Sequence, residues 1–244
     1  MAETLLVTPS YRDSARLQEF GNSLAKALSQ CDHRIRWVIA DDGSGKQEAE
    51  SLRQLVARYQ EIHPATELFV TNKHLGKGGT IKMVWNQASE ADWLCFIDAD
   101  GSIDAPTFLQ LLEIAKEKGK GSAVLASRKQ SPQTTVRQTL MRKWSHLLFA
   151  FLNHLLLKLP VYDAQCGCKI VHREDYQSVS PQLVEDGFLF DSELLLLLQQ
   201  KNILLYEQSI SWSHVPGGAV SIISDSLPML QGLVRVFVRH RVKK

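Results

Sequence analysis

Three apolar runs in the first half of the chain each end in a burst of polar, turn-forming residues. Thr4-Leu5-Leu6-Val7 leads to Pro9-Ser10-Tyr11, Ile35 to Ala40 leads to Asp41-Asp42-Gly43-Ser44-Gly45, and Leu94 to Ile97 leads to Asp98-Ala99-Asp100-Gly101. Between the runs, apolar residues recur at helical spacing: Leu17, Phe20, Leu24 and Leu28, then Leu52, Leu55, Val56 and Tyr59. A strand over 67–70, a helix through Trp85, a helix from Pro106 to Lys118 and a strand from Ala123 to Ala126 continue the alternation. This order predicts a mostly parallel sheet with helices on both faces. Ligands of such sheets sit beyond the carboxyl ends of the strands. Polar clusters at three strand ends therefore point to one shared site.

Asp98 and Asp100 are the sharpest part of that site. Side chains two apart on a strand point the same way, so both carboxylates leaving this strand reach one spot. Two hard anionic oxygens suit Mg²⁺ or Mn²⁺ carrying a diphosphate, with water completing the octahedron. The alternative is a strand followed by an ordinary Asp-rich turn. Gly76-Lys77-Gly78-Gly79-Thr80 lacks the order of a phosphate loop and is not Gly-x-Gly-x-x-Gly. It reads as a turn whose glycines admit close backbone approach ahead of a helix N-terminus. Lys77 either touches phosphate there or simply starts the helix.

The second half differs. Val136 to Leu159 reads as one long helix, apolar around much of its circumference, and Asp163 to His172 as loop and strand. Asp191 to Lys201 is a helix with five consecutive leucines, Ile203 to Ile210 a strand, and Ser224 to Val242 a final amphipathic helix. Arg137, Arg142, Lys143 and Lys158 flank the first long helix, and a cationic cluster ends the last one. Such surfaces suit the headgroup region of an anionic membrane; packing on the sheet or on a second subunit is the other reading, so a homo-oligomer stays open.

At 244 residues with 44% hydrophobic content, the chain buries a sizeable core, and its net charge of +2 gives no field for nucleic acid. Cys31, Cys95, Cys166 and Cys168 lack zinc-site spacing and read as reduced thiols of a cytosolic protein. The first residues have no basic n-region or cleavage site, so no signal peptide is expected. No run reaches the ~18 apolar residues of a spanning helix. The eight histidines form no helical metal pair; His214 is a weak site candidate.

Seven motifs occur in order: Thr8-Pro9-Ser10-Tyr11, Ala40-Asp41-Asp42-Gly43-Ser44, Asn72 through Gly79, Ile97-Asp98-Ala99-Asp100-Gly101, Ala126-Ser127-Arg128, Asp163-Ala164-Gln165-Cys166-Gly167-Cys168-Lys169 and Phe190-Asp191-Ser192-Glu193-Leu194. With them the chain resembles glycosyltransferase family 2, in the branch similar to dolichyl-phosphate glucosyl- and mannosyltransferases. Arg12-Asp13 stands where many relatives carry Asn-Glu, and Cys168 replaces the usual aromatic.

The resemblance implies the GT-A fold, a UDP- or GDP-hexose donor, a divalent metal and inversion at the anomeric carbon. By the same resemblance Pro9 and Tyr11 line the nucleobase pocket, and Asp42 bonds the base or ribose. Asp98 faces ribose and metal, and Asp100 binds the metal. Arg128 and Lys169 lie near the diphosphate or the acceptor phosphate, while Asp191 or Glu193 lies near the acceptor. One domain over 1–244 is expected: a nucleotide-sugar half over about 1–130, an acceptor half over about 131–223 and a basic amphipathic helix over about 224–244.

The expected reaction moves glucose or mannose to a dolichyl- or undecaprenyl-type phosphate. The location is cytoplasmic, with a peripheral position on the cytoplasmic membrane face left open. A hydroxyl acceptor needs a general base, for which Asp191 is the best candidate. A phosphate monoester, with a second pKa of about 6, does not. The rivals are a family 2 transferase acting on a saccharide or soluble hydroxyl, a sugar-phosphate nucleotidyltransferase, and a non-catalytic binding module.

Overall fold

The computed structural model describes residues 3–137, 139–217 and 222–242. Lys243 and Lys244, the end of the cationic cluster that closes the chain's last helix in sequence, lie outside them.

The alternation of strands and helices folds as the pattern predicts. Strands β1 (Thr4–Ser10), β2 (Ile35–Asp41), β3 (Thr66–Val70), β4 (Trp93–Ile97) and β5 (Ser122–Ser127) alternate with helices α1 (Ser14–Gln30), α2 (Lys46–Ile62), α3 (Lys77–Asn86) and α4 (Ala105–Lys118). After a short β6 (Val136–Arg137) and α5 (Leu140–Leu152) come β7 (Cys168–His172), α6 (Arg173–Val179), α7 (Phe190–Gln200), β8 (Leu204–Ser209), β9 (Trp212–Ser213) and α8 (Ile222–Phe237). Seven strands form one sheet in the order β3-β2-β1-β4-β7-β5-β8.

Within the central strands successive residues serve opposite layers. Leu6, Trp37, Ile39 and Cys95 pack with α1, α2 and α4, whereas Leu5, Val7, Val38, Leu94 and Phe96 pack with α3, α6 and α7. The leucine run of α7 is buried around its whole girth, because the sheet covers one side and the C-terminal helix another: Leu195 and Leu196 join Leu125 of β5 with Leu157, Leu233 and Val236 in a third apolar cluster.

One strand breaks the parallel rule and builds the site. β7 runs antiparallel to both β4 and β5, with Ile97 opposite Cys168 and Phe96 opposite Lys169. Its beginning, and the loop before it, therefore lie at the carboxyl ends of β4 and β5. All other pairs in this sheet are parallel.

Two helix expectations change. The stretch from Val136 to Leu159 is not one helix: Val136 and Arg137 pair in parallel with Trp212 and Ser213, and the helix starts at Leu140. It widens to a π-turn over Asn153–Leu157, where the Asn153 side chain donates to the Phe149 carbonyl (2.9 Å). The final helix also ends in a wider π-turn, over Val238–Val242. Among the described residues no helix is long and apolar enough to cross a membrane.

Candidate active site

Asp98 is the first residue beyond β4, and its backbone N–H donates to the Gly167 carbonyl (2.9 Å). A Cβ on Gly167 would lie 2.0 Å from Asp98 Oδ2. No residue larger than glycine fits there without displacing the carboxylate. Asp98 Oδ1 takes the Lys77 ammonium at 2.9 Å, and Lys77 also reaches Asp191 Oδ2 at 3.4 Å. Asp191 Oδ1 in turn meets Lys169 Nζ at 2.6 Å, and Lys169 donates to the Cys166 carbonyl (2.9 Å). Both ammoniums lie over the Phe96 ring, at 4.6 and 5.3 Å from its centroid. Two aspartates and two lysines thus alternate along one chain of ion pairs, buried at Asp191 and Lys169 and more open at Asp98.

Burial acts against charge on Asp98 and Lys77. It raises the pKa of Asp98, helped by the nearby Asp100 and Asp191 and countered by Lys77. It would lower that of Lys77, but Asp191 and Asp98 more than offset it and hold the ammonium above the ordinary lysine value.

Asp100 takes the turn role the sequence left open and faces a cationic side chain as well. Its Oδ1 accepts from the Ser102 N–H (2.9 Å), as a turn aspartate does. Its Oδ2 faces Arg16 Nη1 at 3.4 Å, and Asp13 holds Arg16 in turn (Nε to Oδ1, 2.6 Å). A hard divalent cation fits this donor set: two carboxylates close enough to influence each other, each already facing a cationic side chain. Among the described residues no group of three or more His, Cys, Asp or Glu converges, so diphosphate and water oxygens would complete its coordination.

Beyond β2, Asp42 accepts from the N–H groups of Leu75 (2.6 Å) and Gly76 (2.9 Å) and pairs with His74 Nδ1 at 2.9 Å. Its carboxylate thereby ties the loop after β2 to the turn before α3. Tyr11 lies against the His74 ring (4.1 Å between centroids), and Pro9 stays in β1 opposite Ala40. The glycines of that turn serve packing. A Cβ on Gly78 would lie 2.2 Å from Phe190 Cβ, and the Gly79 N–H donates to the Asp186 carbonyl (2.8 Å). Gly76, at φ 88°, would meet the same carbonyl at 2.6 Å.

Arg128 follows β5. Its Nε and Nη2 grip Asp163 (2.7 and 2.8 Å), and Nη2 also meets His146 Nδ1 at 3.2 Å. It stacks over Trp212 at 5.3 Å. Burial would raise the pKa of Asp163, but Arg128 wins and holds the carboxyl well below the usual range. Burial and Arg128 both push His146 down, against Asp163. These contacts engage Nε and Nη2, and Nη1 is the remaining edge of the guanidinium.

Glu193, grouped with Asp191 in the sequence, does not join this network. Its Oε2 accepts from the N–H groups of Val184 (2.8 Å) and Glu185 (2.7 Å), and its Oε1 meets Arg239 and His240, both at 2.7 Å. The structure thus brings Asp98, Lys77, Asp191 and Lys169 together, with Asp100 adjacent and Arg128 alongside. Arg16, Asp163, Gly167 and His146 complete the surroundings. Asp163 and Gly167 stand in one of the seven motifs, with no role assigned there; Arg16 left only its i, i+3 spacing from Asp13, and His146 left no trace.

A sheet of this order with acidic strand ends defines the GT-A class of nucleotide-sugar transferases. Solved structures share the fold. They include glucosyl-3-phosphoglycerate synthase from Mycobacterium tuberculosis in complex with Mn²⁺, UDP and phosphoglyceric acid (TM-score 0.68, 15% identity, covering 97% of this chain and 78% of that one). Another is mannosyl-3-phosphoglycerate synthase from Rubrobacter xylanophilus (TM-score 0.71, 14% identity, covering 100% and 75%).

The family model described as Glycosyl transferase family 2 matches residues 5–179, and the chain belongs to that family. It is a glycosyltransferase, which sets aside the nucleotidyltransferase and binding-module readings. It is similar to the dolichyl-phosphate beta-glucosyltransferases of Dictyostelium discoideum (28% identical over 247 residues, 96% of this chain and 74% of the relative) and Saccharomyces cerevisiae (25% over 243 residues, 94% and 72%).

Proposed function

We propose that the chain moves a hexose, glucose or mannose, from a nucleoside diphosphate to a polyprenyl phosphate at the cytoplasmic face of a membrane, with inversion. One observation carries the choice of acceptor. Asp191 is 1% exposed and already meets two ammonium groups. Taking a proton from a hydroxyl would require breaking those pairs, whereas a phosphate acceptor is already anionic at neutral pH. Asp191 thus positions Lys77 and Lys169 and is not a base. The names of the relatives, dolichyl-phosphate beta-glucosyltransferases, support the same acceptor.

In this reading Pro9 and Tyr11 border the nucleobase, and Asp42 holds the loop that closes beside it. Asp98 and Asp100 would hold Mg²⁺ or Mn²⁺, which would offset negative charge on the diphosphate. Lys77 meets the same diphosphate from the N-terminal turn of α3, where backbone N–H groups add positive potential. Lys169 and the Nη1 edge of Arg128 receive the acceptor phosphate and aim its oxygen at the anomeric carbon. Attack from the face opposite the leaving group inverts that carbon in one displacement.

The membrane side rests on two unpartnered apolar stripes. Leu140, Met141, Trp144, Leu148, Phe151 and Leu155 stand exposed along α5 and its π-turn, and Leu227, Leu230, Val234 and Val238 along α8 and its own. The two elements pack side by side through Leu157, Leu233 and Val236, so both stripes can enter one interface.

The test is a panel of UDP- and GDP-hexoses assayed with a short polyprenyl phosphate, with and without Mn²⁺. Metal-dependent transfer to the lipid is expected. Transfer to a saccharide and to no lipid would replace this reading with the hydroxyl-acceptor one.

A further inference from the structure

Glu193 lies fully buried two residues from Asp191, yet all its partners belong to other elements. Its Oε2 fixes the N–H groups of Val184 and Glu185, in the segment that leads to α7. The next residue, Asp186, accepts from the Gly79 N–H at 2.8 Å through its carbonyl and pairs with Lys82 at 2.6 Å through its carboxylate. Both partners belong to α3, whose first residue is Lys77. The segment at 184–186 thus clamps the turn that presents Lys77 to Asp98 and Asp191.

The positive charge that balances this clamp comes from the C-terminal segment. Arg239 bridges Glu193 (2.7 Å) and Glu185 (3.3 Å), Arg235 adds a 3.0 Å bond to Glu185, and His240 completes Glu193. Gly232 permits the approach: a Cβ there would lie 2.9 Å from Leu189 Cγ, immediately before α7. Two buried carboxylates without these cations would be uncompensated. The clamp therefore holds only while the C-terminal helix is seated.

We propose that Glu193 is a positioning residue, and that Arg239 closes a clasp through which the C-terminal helix sets the placement of Lys77. The helix that carries an apolar stripe outward carries the clasp inward, so its seating is felt at the site. The catalytic consequence rests on the reading that Lys77 meets the donor diphosphate; the exchange measurement below stands without it.

Amide hydrogen exchange of the unliganded protein tests the clasp directly. Arg239→Gln should speed exchange about tenfold over 74–82 and 183–187, with the amides of 4–10 and 35–41 unchanged, and Arg239→Lys should restore most of the protection. In assays with UDP-glucose or GDP-mannose and Mn²⁺, the same variant should raise the donor KM, with a smaller change in kcat. Unchanged exchange over 74–82, or an equal rise across the whole sheet, would overturn the clasp. If Arg239→Gln fails to fold, Arg235→Gln, which removes only the contacts to Glu185, is scored by the same exchange pattern at about twofold. Exchange that responds while donor KM stays fixed would keep the clasp and remove Lys77 from the diphosphate.

Discussion

Helix α7 starts between two ionic clusters that look alike in composition and differ in purpose. On one side Asp191 joins Asp98, Lys77 and Lys169, where cations lie over an aromatic face and a carboxylate is desolvated beyond its ordinary range. On the other, Glu193 joins Glu185, Arg235, Arg239 and His240, and one of its oxygens is spent on backbone N–H groups. The first cluster joins side chains at the strand ends, where the proposed function puts the ligand. The second joins segments to one another. Two acidic residues in one helical turn can thus belong to chemistry and to scaffolding, and their burial does not tell them apart: each is about 1% exposed or less. Their partners do.

The largest expected effect breaks the first cluster and spares the second. Asp100 is partly exposed and, among the described residues, bonds to its own turn and to Arg16. Asp100→Ala should cut turnover by about a thousandfold or more, with the melting temperature within a few degrees of the parent. Transfer at parental rate, or transfer that survives chelation, would end the metal assignment. A smaller loss is expected from Gly167→Ala. The added methyl meets Asp98 Oδ2, and a shift of about 1 Å in such a group costs about a hundredfold in kcat/KM. Equal kinetics in that variant would show that the placement of Asp98 by β7 is not limiting.

Much of the first cluster was legible in the sequence, and nearly all of the second was not. Asp98 and Asp100 announce themselves because strand period and turn chemistry are local. Gly167 is demanded by Asp98, yet the demand exists only because β7 inserts antiparallel beside β4, a long-range pairing with no local signature. The same holds for Val136 and Arg137. Their apolar continuity with the next segment reads as helix, but pairing with Trp212 and Ser213 takes them out of it. Glu193 looked like the twin of Asp191 because spacing shows which helix a residue is on, not which neighbour reaches it. Its partners Arg239 and His240 lie far along the chain, in a segment whose basic residues read as a surface patch.

Arg128 and Asp163 extend the comparison to a third ion pair, one in which the carboxylate is fully buried and held by a single guanidinium. Arg128→Ala leaves a buried carboxylate uncompensated and should cost about 3–5 kcal/mol of stability at neutral pH. The pH dependence separates this from a simple packing loss. In the parent, Asp163 has a depressed pKa. Its contribution is fully present above the ordinary carboxylate value and is lost only as pH falls below it. In the variant, burial acts on Asp163 without its counterion and raises the folded pKa, so the folded state takes up a proton first. Stability of the variant should then recover as pH is lowered from 7 towards the carboxylate range, while the parent stays flat. Urea midpoints across that range read the difference, and parallel curves would mean that Asp163 is not the group left exposed.

The smallest effect on folding belongs to the surface that touches neither cluster. Trp85 and Trp144 show the contrast within one residue type: Trp85 is 2% exposed and packs on Phe96, Tyr176 and Phe190, whereas Trp144 is 71% exposed on α5. Removing an exposed side chain should move stability by no more than about 0.5 kcal/mol. If α5 lies in an interface, Trp144 contributes burial of about 1.5–3 kcal/mol only there. Trp144→Ser should therefore leave urea unfolding and donor binding unchanged. It should weaken partitioning onto phosphatidylserine-containing vesicles about tenfold, with a matching rise in KM for a vesicle-borne acceptor and none for a short soluble one. Unchanged partitioning would move the stripe from membrane contact to contact with another protein surface, and leave the two clusters of α7 as they are.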